Sequence, residues 1–155
     1  MEIRRANTKD CKKIKDLLNQ VLMVHHNSRP DLFKPNSRKY TDSELNDLIK
    51  DDMRPIFVAV IDGEVMGYVF CILRQHKNNN ILTDIKTLYI DDLCIDENAR
   101  GKHIGTALYQ FAKDYAKSIG CYNLTLNVWA CNENARRFYD SMGLKPQSTT
   151  LETIL

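Results

Sequence analysis

Apolar positions along the chain recur with two periods, and the places where the period changes mark the elements. Cys11, Ile14, Leu17, Leu18, Val21 and Leu22 follow one another at helical spacings, which predicts an amphipathic helix capped by Thr8. From His25 to Tyr40 the pattern is lost and Pro30 and Pro35 appear, so a loop is expected. Leu45, Leu48 and Ile49 share one side of a short helix over Asp42–Asp51. The run Ile56–Ile61, the dipeptide Asp62-Gly63 and the run Glu64–Leu73 read as two strands joined by a tight hairpin. After a polar loop at His76–Asn80, a long strand is predicted from Ile81 to Ile95. Ile104, Leu108, Phe111, Ala112, Tyr115, Ala116 and Ile119 form one helical stripe, which Gly120 ends. Leu124, Leu126 and Val128 alternate with Thr125, Asn127 and Trp129, the mark of a two-faced strand over Asn123–Ala130. A short helix over Asn132–Met142 stops at Gly143, and Leu144–Leu155 is expected to be a final strand or hairpin arm. With a first strand at Glu2–Ala6, the order β-α-α-β-β-β-α-β-α-β describes a mixed α/β fold. No linker or repeat interrupts the chain, so residues 1–155 are expected to form one domain.

Composition changes this picture by exclusion. A net charge of +2 is too small to point to nucleic acid or an anionic membrane as the partner. No apolar run approaches the ~20 residues that cross a bilayer. The start Met1-Glu2-Ile3-Arg4-Arg5 lacks the apolar core of a signal peptide. The five cysteines (Cys11, Cys71, Cys94, Cys121 and Cys131) are odd in number and contain no C-x-x-C pair. That argues against a disulfide framework or a zinc site, so no metal is expected, and free thiols suit a reducing cytoplasm.

The turn Arg100-Gly101-Lys102-His103-Ile104-Gly105-Thr106 links the strand ending at Ile95 to the helix beginning near His103. Free N–H groups and the dipole at a helix start favour an anion. Two glycines permit close approach of the backbone, and Arg100 and Lys102 add positive charge. These features suit a pyrophosphate, but they also suit a plain connector with a basic surface. The Walker order and the G-x-G-x-x-G order are both absent.

The segment resembles the acetyl-CoA-binding signature of the GNAT superfamily of N-acetyltransferases: Arg or Gln, two residues, Gly, one residue, then Gly or Ala. Arg100 fills the first place and Gly105 the last, while His103 stands where the family has its first glycine. The backbone N–H of residue 103 is retained, and a helix start predicts φ below zero for this histidine. A second stretch, Asn132-Glu133-Asn134-Ala135-Arg136-Arg137-Phe138-Tyr139, resembles the family segment with Asn, Ala and Tyr at helical spacing. The resemblance implies a GNAT fold: a mostly antiparallel mixed central sheet, flanked by helices, with splayed central strands. It implies that acetyl-CoA is the co-substrate and that the backbone of Leu93, Cys94 and Ile95 meets its pantetheine arm. It also implies that Asn132 and Ala135 lie against the cofactor and that Tyr139 protonates the departing thiolate.

Asp91 and Asp92 are candidates to accept the proton of an attacking amine. Register and any bulge decide between them, and Asp91 is favoured on the expectation that it shares a face with Leu93. Cys94 has no base nearby in sequence and reads as a structural cysteine, while His25 and His26 could line an acceptor pocket. The acids Asp42, Glu44, Asp47, Asp51, Asp52 and Asp84 lie near the same region in sequence and lean towards a cationic amine. The expected acceptor is a primary amine of a small molecule or peptide. A non-catalytic acyl-CoA-binding module on the same fold is the alternative. The alternating tail Thr149–Leu155 could serve as an exchanged strand in a homodimer.

Overall fold

The computed structural model describes residues 1–155. Strand β1 (Glu2–Arg5) leads through a single 3-10 turn into helix α1 (Cys11–Ser28), followed by α2 (Asp42–Ile49). Strands β2 (Ile56–Ile61), β3 (Glu64–Gln75) and β4 (Lys86–Ile95) come next, then α3 (Ile104–Ser118), β5 (Asn123–Leu126) and α4 (Glu133–Ser141). The sheet order is β1-β2-β3-β4-β5, antiparallel throughout except for the parallel pair β4–β5. This is the expected mixed sheet flanked by helices.

Local chemistry moves several boundaries. Asn7, not Thr8, caps the first turn: its side chain accepts from Lys9 N, and Asp10 accepts from Asn7 N in return. Helix α1 runs on through His25 and His26 and stops just before Pro30, whose ring disfavours helix at the preceding residue. Strand β4 begins at Lys86 rather than Ile81, because Asn79 Oδ1 accepts from the N–H groups of Ile81 and Leu82 and holds a turn there. Gly143 takes the left-handed cap expected of it, with φ of 84°. The predicted final strand is not formed, since no main-chain group beyond Leu144 is paired within the chain.

Two hydrophobic clusters sandwich the sheet. Ile14, Leu17, Leu45, Val58, Tyr68, Phe70 and Cys94 pack under α1 and α2, and Phe57, Val69, Leu88, Ile90, Ile104, Leu108 and Ala112 pack under α3. Sheet alternation assigns each strand residue to one cluster or the other. Strand β4 breaks that alternation once. Asp92 lies opposite Phe70 and Ile90 opposite Cys71, so Asp91 has no counterpart and the strand bulges there. Before the bulge Leu88 and Ile90 face α3; after it Cys94 faces α1 while Leu93 and Ile95 turn to the α3 side. Close packing of β3 on β4 depends on Gly67, where an added Cβ would lie 2.8 Å from Cys94 O and 2.8 Å from Ile95 Cδ1.

Candidate active site

Strands β4 and β5 part company halfway along. Their pairing runs from Thr87–Asn123 to Ile90–Leu126 and then stops. The strand predicted to reach Ala130 therefore ends at Leu126, and Asp92–Ile95 keep a partner only on the β3 side. Asp96 N donates to Met66 O, which makes that pair a hydrogen-bonded one. By antiparallel alternation the main chain of Cys94 then faces β3, and the N–H and C=O of Leu93 and Ile95 face the gap. The expected trio of backbone contacts is thus reduced to two, Leu93 and Ile95.

The basic turn closes one end of this gap. The main-chain N–H groups from Lys102 to Thr106 have no partner within the chain, and the first helical bond into α3 is from Ala107 N to His103 O. Arg100, Gly101, Lys102 and His103 are exposed beside this row of donors, while Ile104 is buried as the helix's anchor. Gly101 and His103 both lie in the left-handed region, with φ of 78° and 58°. The expectation of negative φ at His103 is therefore wrong. Here the chain needs a left-handed residue to swing from extended Arg100 into the helix, and the histidine adopts the conformation a glycine would take without strain. A Cβ on Gly105 would rest 3.5 Å from the Phe138 ring, an ordinary contact, so α4 packs directly over the start of α3.

Helix α4 turns Asn132, Ala135, Phe138 and Tyr139 inward, all half-buried, and leaves its other positions exposed. Asn132 caps the helix: its Oδ1 accepts from Ala135 N at 3.1 Å, which leaves the Nδ2 donor free. Tyr139 Oη makes no hydrogen bond within the chain. Burial, with the negative charge of Asp92 and the neighbouring Tyr109, pushes its pKa far up, so the hydroxyl keeps its proton.

The two aspartates meet different partners. Asp91 forms an ion pair with Lys39 at 2.9 Å, on the side of the loop after α1. Leu93 packs on the opposite side, against the α3 cluster, so Asp91 and Leu93 do not share a face; the bulge is the reason. Asp92 accepts from Tyr68 Oη at 2.8 Å. Burial raises its pKa, outweighing the charge of Lys39 and the Tyr68 hydrogen bond. The charge of Asp92 lies close enough to act on both Tyr139 and His25. Burial lowers the pKa of His25, helped by Lys39 and opposed by Asp92. His25 stacks on Phe33 at 5.1 Å, and Phe33 meets Trp129 edge-on at 5.4 Å, forming an aromatic wall beside the gap. His26 points to Phe33 O at 2.7 Å and holds the loop. Burial pushes the Cys94 thiol up to about 12, which removes it as a nucleophile.

Tyr68, Lys39, Phe33 and Trp129 escape the sequence reading as site residues. Tyr68 offered one signal, a hydroxyl set in an otherwise apolar strand. Four of the acids near in sequence meet partners of their own. Asp42 pairs with Lys15, Glu44 closes the cap of α2, Asp51 receives Met53 N, and Asp52 lies by Arg5. These four acids are committed elsewhere, while Asp91 and Asp92 lie on β4, the first paired with Lys39. A polar cleft of about 410 Å³ opens between α1 and residues 36–40, with Lys39 and Tyr40 on one wall and Lys12, Asp16 and Asn19 on the other. No group of three or more His, Cys, Asp or Glu residues is arranged to hold a metal ion. No helix is long and apolar enough to cross a membrane.

The structure thus combines a splayed strand pair, a row of free N–H groups at the start of α3 and a tyrosine on the helix packed over that start. Residues 21–144 match the profile of the acetyltransferase (GNAT) family. The chain belongs to this family. An uncharacterized N-acetyltransferase of Archaeoglobus fulgidus is 31% identical over 151 residues, 96% of each chain. The YhfO N-acetyltransferase of Bacillus subtilis is 30% identical over 144 residues, 92% of this chain and 89% of that one. The crystal structure of a tetramutant of the BH1408 protein from Bacillus halodurans superposes over 100% of both chains with a TM-score of 0.95 at 31% identity. GNAT proteins use acetyl-CoA as their co-substrate, and the donors and free edge found here suit its pyrophosphate and pantetheine.

Proposed function

We propose that the protein moves the acetyl group of acetyl-CoA to a primary amine of a small molecule or peptide, directly, with both substrates bound at once. The observation that carries this reading is the layout of the free edge of β4: phosphate donors lie at one end, and Asp92 and Tyr139 flank the other. Main-chain N–H groups of Lys102–Thr106, with Arg100 and Lys102, would hold the pyrophosphate. The Leu93 and Ile95 edge would hold the pantetheine arm as an added strand, and Asn132 Nδ2 and the small Ala135 would flank it.

In the transfer the amine nitrogen bonds to the acetyl carbon and the carbon–sulfur bond breaks. An N–H group on the free edge polarises the carbonyl oxygen as charge develops there. Asp92, directly or through water, accepts the amine proton, and its raised pKa makes it a better base than an ordinary carboxylate. Tyr139 Oη, protonated and without a partner, donates to the departing sulfur. Asp91 is committed to Lys39, so we assign it the positioning of that lysine and of the loop rather than the proton.

The test is release of free thiol from acetyl-CoA with a panel of primary amines, with acetylated product read by mass. Thiol release that depends on amine supports the reading. Tight binding of acetyl-CoA by titration, with no turnover on any amine, would leave an acyl-CoA-binding module instead.

A further inference from the structure

We infer, in a step that rests on the acetyl-transfer reading, that Tyr68 is a positioning residue for Asp92: its buried hydroxyl holds one carboxylate oxygen and leaves the other for the proton of the amine.

Packing at position 68 calls for a ring and not for a hydroxyl. Tyr68 is fully buried on the face of β3 that packs under α1 and α2, in the cluster of Ile14, Leu17, Val58 and Phe70. A phenylalanine would fill the same space. A buried phenol oxygen costs free energy unless it finds a partner. The partner is Asp92 Oδ2, at 2.8 Å. Replacing both members of such a pair by apolar groups of the same shape is close to neutral for stability, so the core gains little from the pair itself.

The geometry suits a holder. The bulge at Asp91 sets Asp92 on the same side of β4 as Cys94. Tyr68 stands opposite Cys94, and Phe70 stands opposite Asp92. The hydroxyl therefore reaches its acid along the diagonal of the strand pair, a span suited to a long aromatic side chain. Neighbouring rings keep Tyr68 from swinging away. It meets Phe70 edge-on with centroids 4.8 Å apart, and Tyr40 stacks on Phe70 at 6.1 Å. Asp92 Oδ1 takes no hydrogen bond within the chain. Burial, with the negative charges of Asp92 and Cys94, pushes the Tyr68 pKa well up, so the hydroxyl keeps its proton and remains a donor.

Several other groups act on Asp92. Burial raises its pKa; Lys39 from the loop after α1 and the Tyr68 hydrogen bond lower it, Asp91 beside it raises it, and His25 of α1 lowers it. Its charge in turn bears on Tyr139 of α4 and on Cys94. Tyr68→Phe removes a donor from this set and alters none of the charges.

That variant deletes one oxygen and keeps the ring, so its acetyl-CoA affinity should match wild type by titration. With the best amine of the panel, kcat should fall about 10-fold, because the base is no longer held in line. The acid limb of kcat/KM should move to higher pH, since a carboxylate that loses a donor holds its proton more tightly. In an Asp92→Asn background the same substitution should cause no further loss of kcat. The carbon-13 resonance of the Asp92 carboxyl, assigned by its loss in Asp92→Asn, should titrate at higher pH in Tyr68→Phe with no substrate present. An unmoved carboxylate titration, or pH profiles and kcat that coincide with wild type, overturns the role of Tyr68 and leaves the acetyl-transfer reading standing. Losses that multiply in the double variant also overturn it. A wild-type protein that acetylates no amine fails the transfer reading instead, and the carboxylate titration then still decides whether Tyr68 governs Asp92.

Discussion

At the scale of single residues, the site is built from groups held against their ordinary preferences. His103 holds φ of 58°, a conformation that costs a non-glycine residue about 1 kcal/mol. His103→Gly should therefore raise stability in urea by about that amount. It should leave acetyl-CoA affinity within a few-fold by titration, because the backbone donor is unchanged. Asp92 is a half-buried carboxylate whose one visible hydrogen bond comes from Tyr68. Asp92→Asn keeps an acceptor for that hydroxyl and removes a partly desolvated charge. Its melting temperature at pH 7 should be equal to or above that of the unaltered protein, while kcat/KM falls by about 10²-fold or more. With Asp92 as base, activity needs its ionised form. The acid limb of the pH–rate profile should then lie above the usual carboxylate pKa of about 3.9. Tyr139→Phe should lose ~10²-fold in kcat with little change in melting temperature, because the hydroxyl has no partner to lose. Equal activity of Tyr139→Phe and wild type would remove the tyrosine from the mechanism.

At the scale of elements, β4 decides the site. Its bulge at Asp91 rotates the rest of the strand, so Asp92 and Cys94 look towards α1 and Leu93 and Ile95 look towards α3. The pattern of residues in β4 cannot show this, because Leu88, Ile90, Asp92 and Cys94 alternate without a break in sequence. The extra residue is visible only against β3. The end of β5 at Leu126 is hidden for the same reason: Asn127–Ala130 keep alternating after pairing has stopped. The path of β4 over β3 also requires Gly67. Gly67→Ala would push a Cβ to 2.8 Å from the backbone carbonyl of Cys94, an atom that cannot move aside. The variant should lose about 1–3 kcal/mol in urea unfolding. It should also weaken acetyl-CoA binding, since the displaced stretch is the free edge itself.

At the scale of the whole molecule, two ion pairs tie the layers together. Asp10 accepts two bonds from Arg4, at 2.8 and 2.9 Å, and fastens the entry of α1 to β1. Asp96, at the end of β4, receives Lys13 of α1 and the N–H of Asn98. Burial raises the Asp10 pKa, but the Arg4 hydrogen bond, the Asn7 amide and the Arg4 charge bring the net value below the ordinary one. The Lys13 hydrogen bond lowers that of Asp96. A lowered folded-state pKa contributes stability above the unfolded value of about 3.9, and that stability is lost as pH falls through the folded value. Asp92, with its raised value, has the opposite sign: protonation favours the fold. The melting temperature should hold from pH 7 to about 5 and then drop below about pH 4. Asp96→Asn should flatten part of that drop. A melting temperature that keeps rising as pH falls below 4 would show that these pairs do not govern acid stability.

Much of this protein is readable along the chain because its cues are local. Helical stripes, the Asp62-Gly63 hairpin and the caps at Gly120 and Gly143 each depend on a few neighbouring residues. So do the free donors of Lys102–Thr106 and the inward face of Asn132, Ala135 and Tyr139, which follow from helix geometry alone. What depended on distant partners could not be read that way. Tyr68 of β3 reaches Asp92 on the neighbouring β4, 24 residues on, and Lys39 reaches Asp91 from a loop 52 residues away. The different partners of Asp91 and Asp92 follow from one unpaired residue in β4, because a strand's facing is a property of its pairing and not of its own side chains.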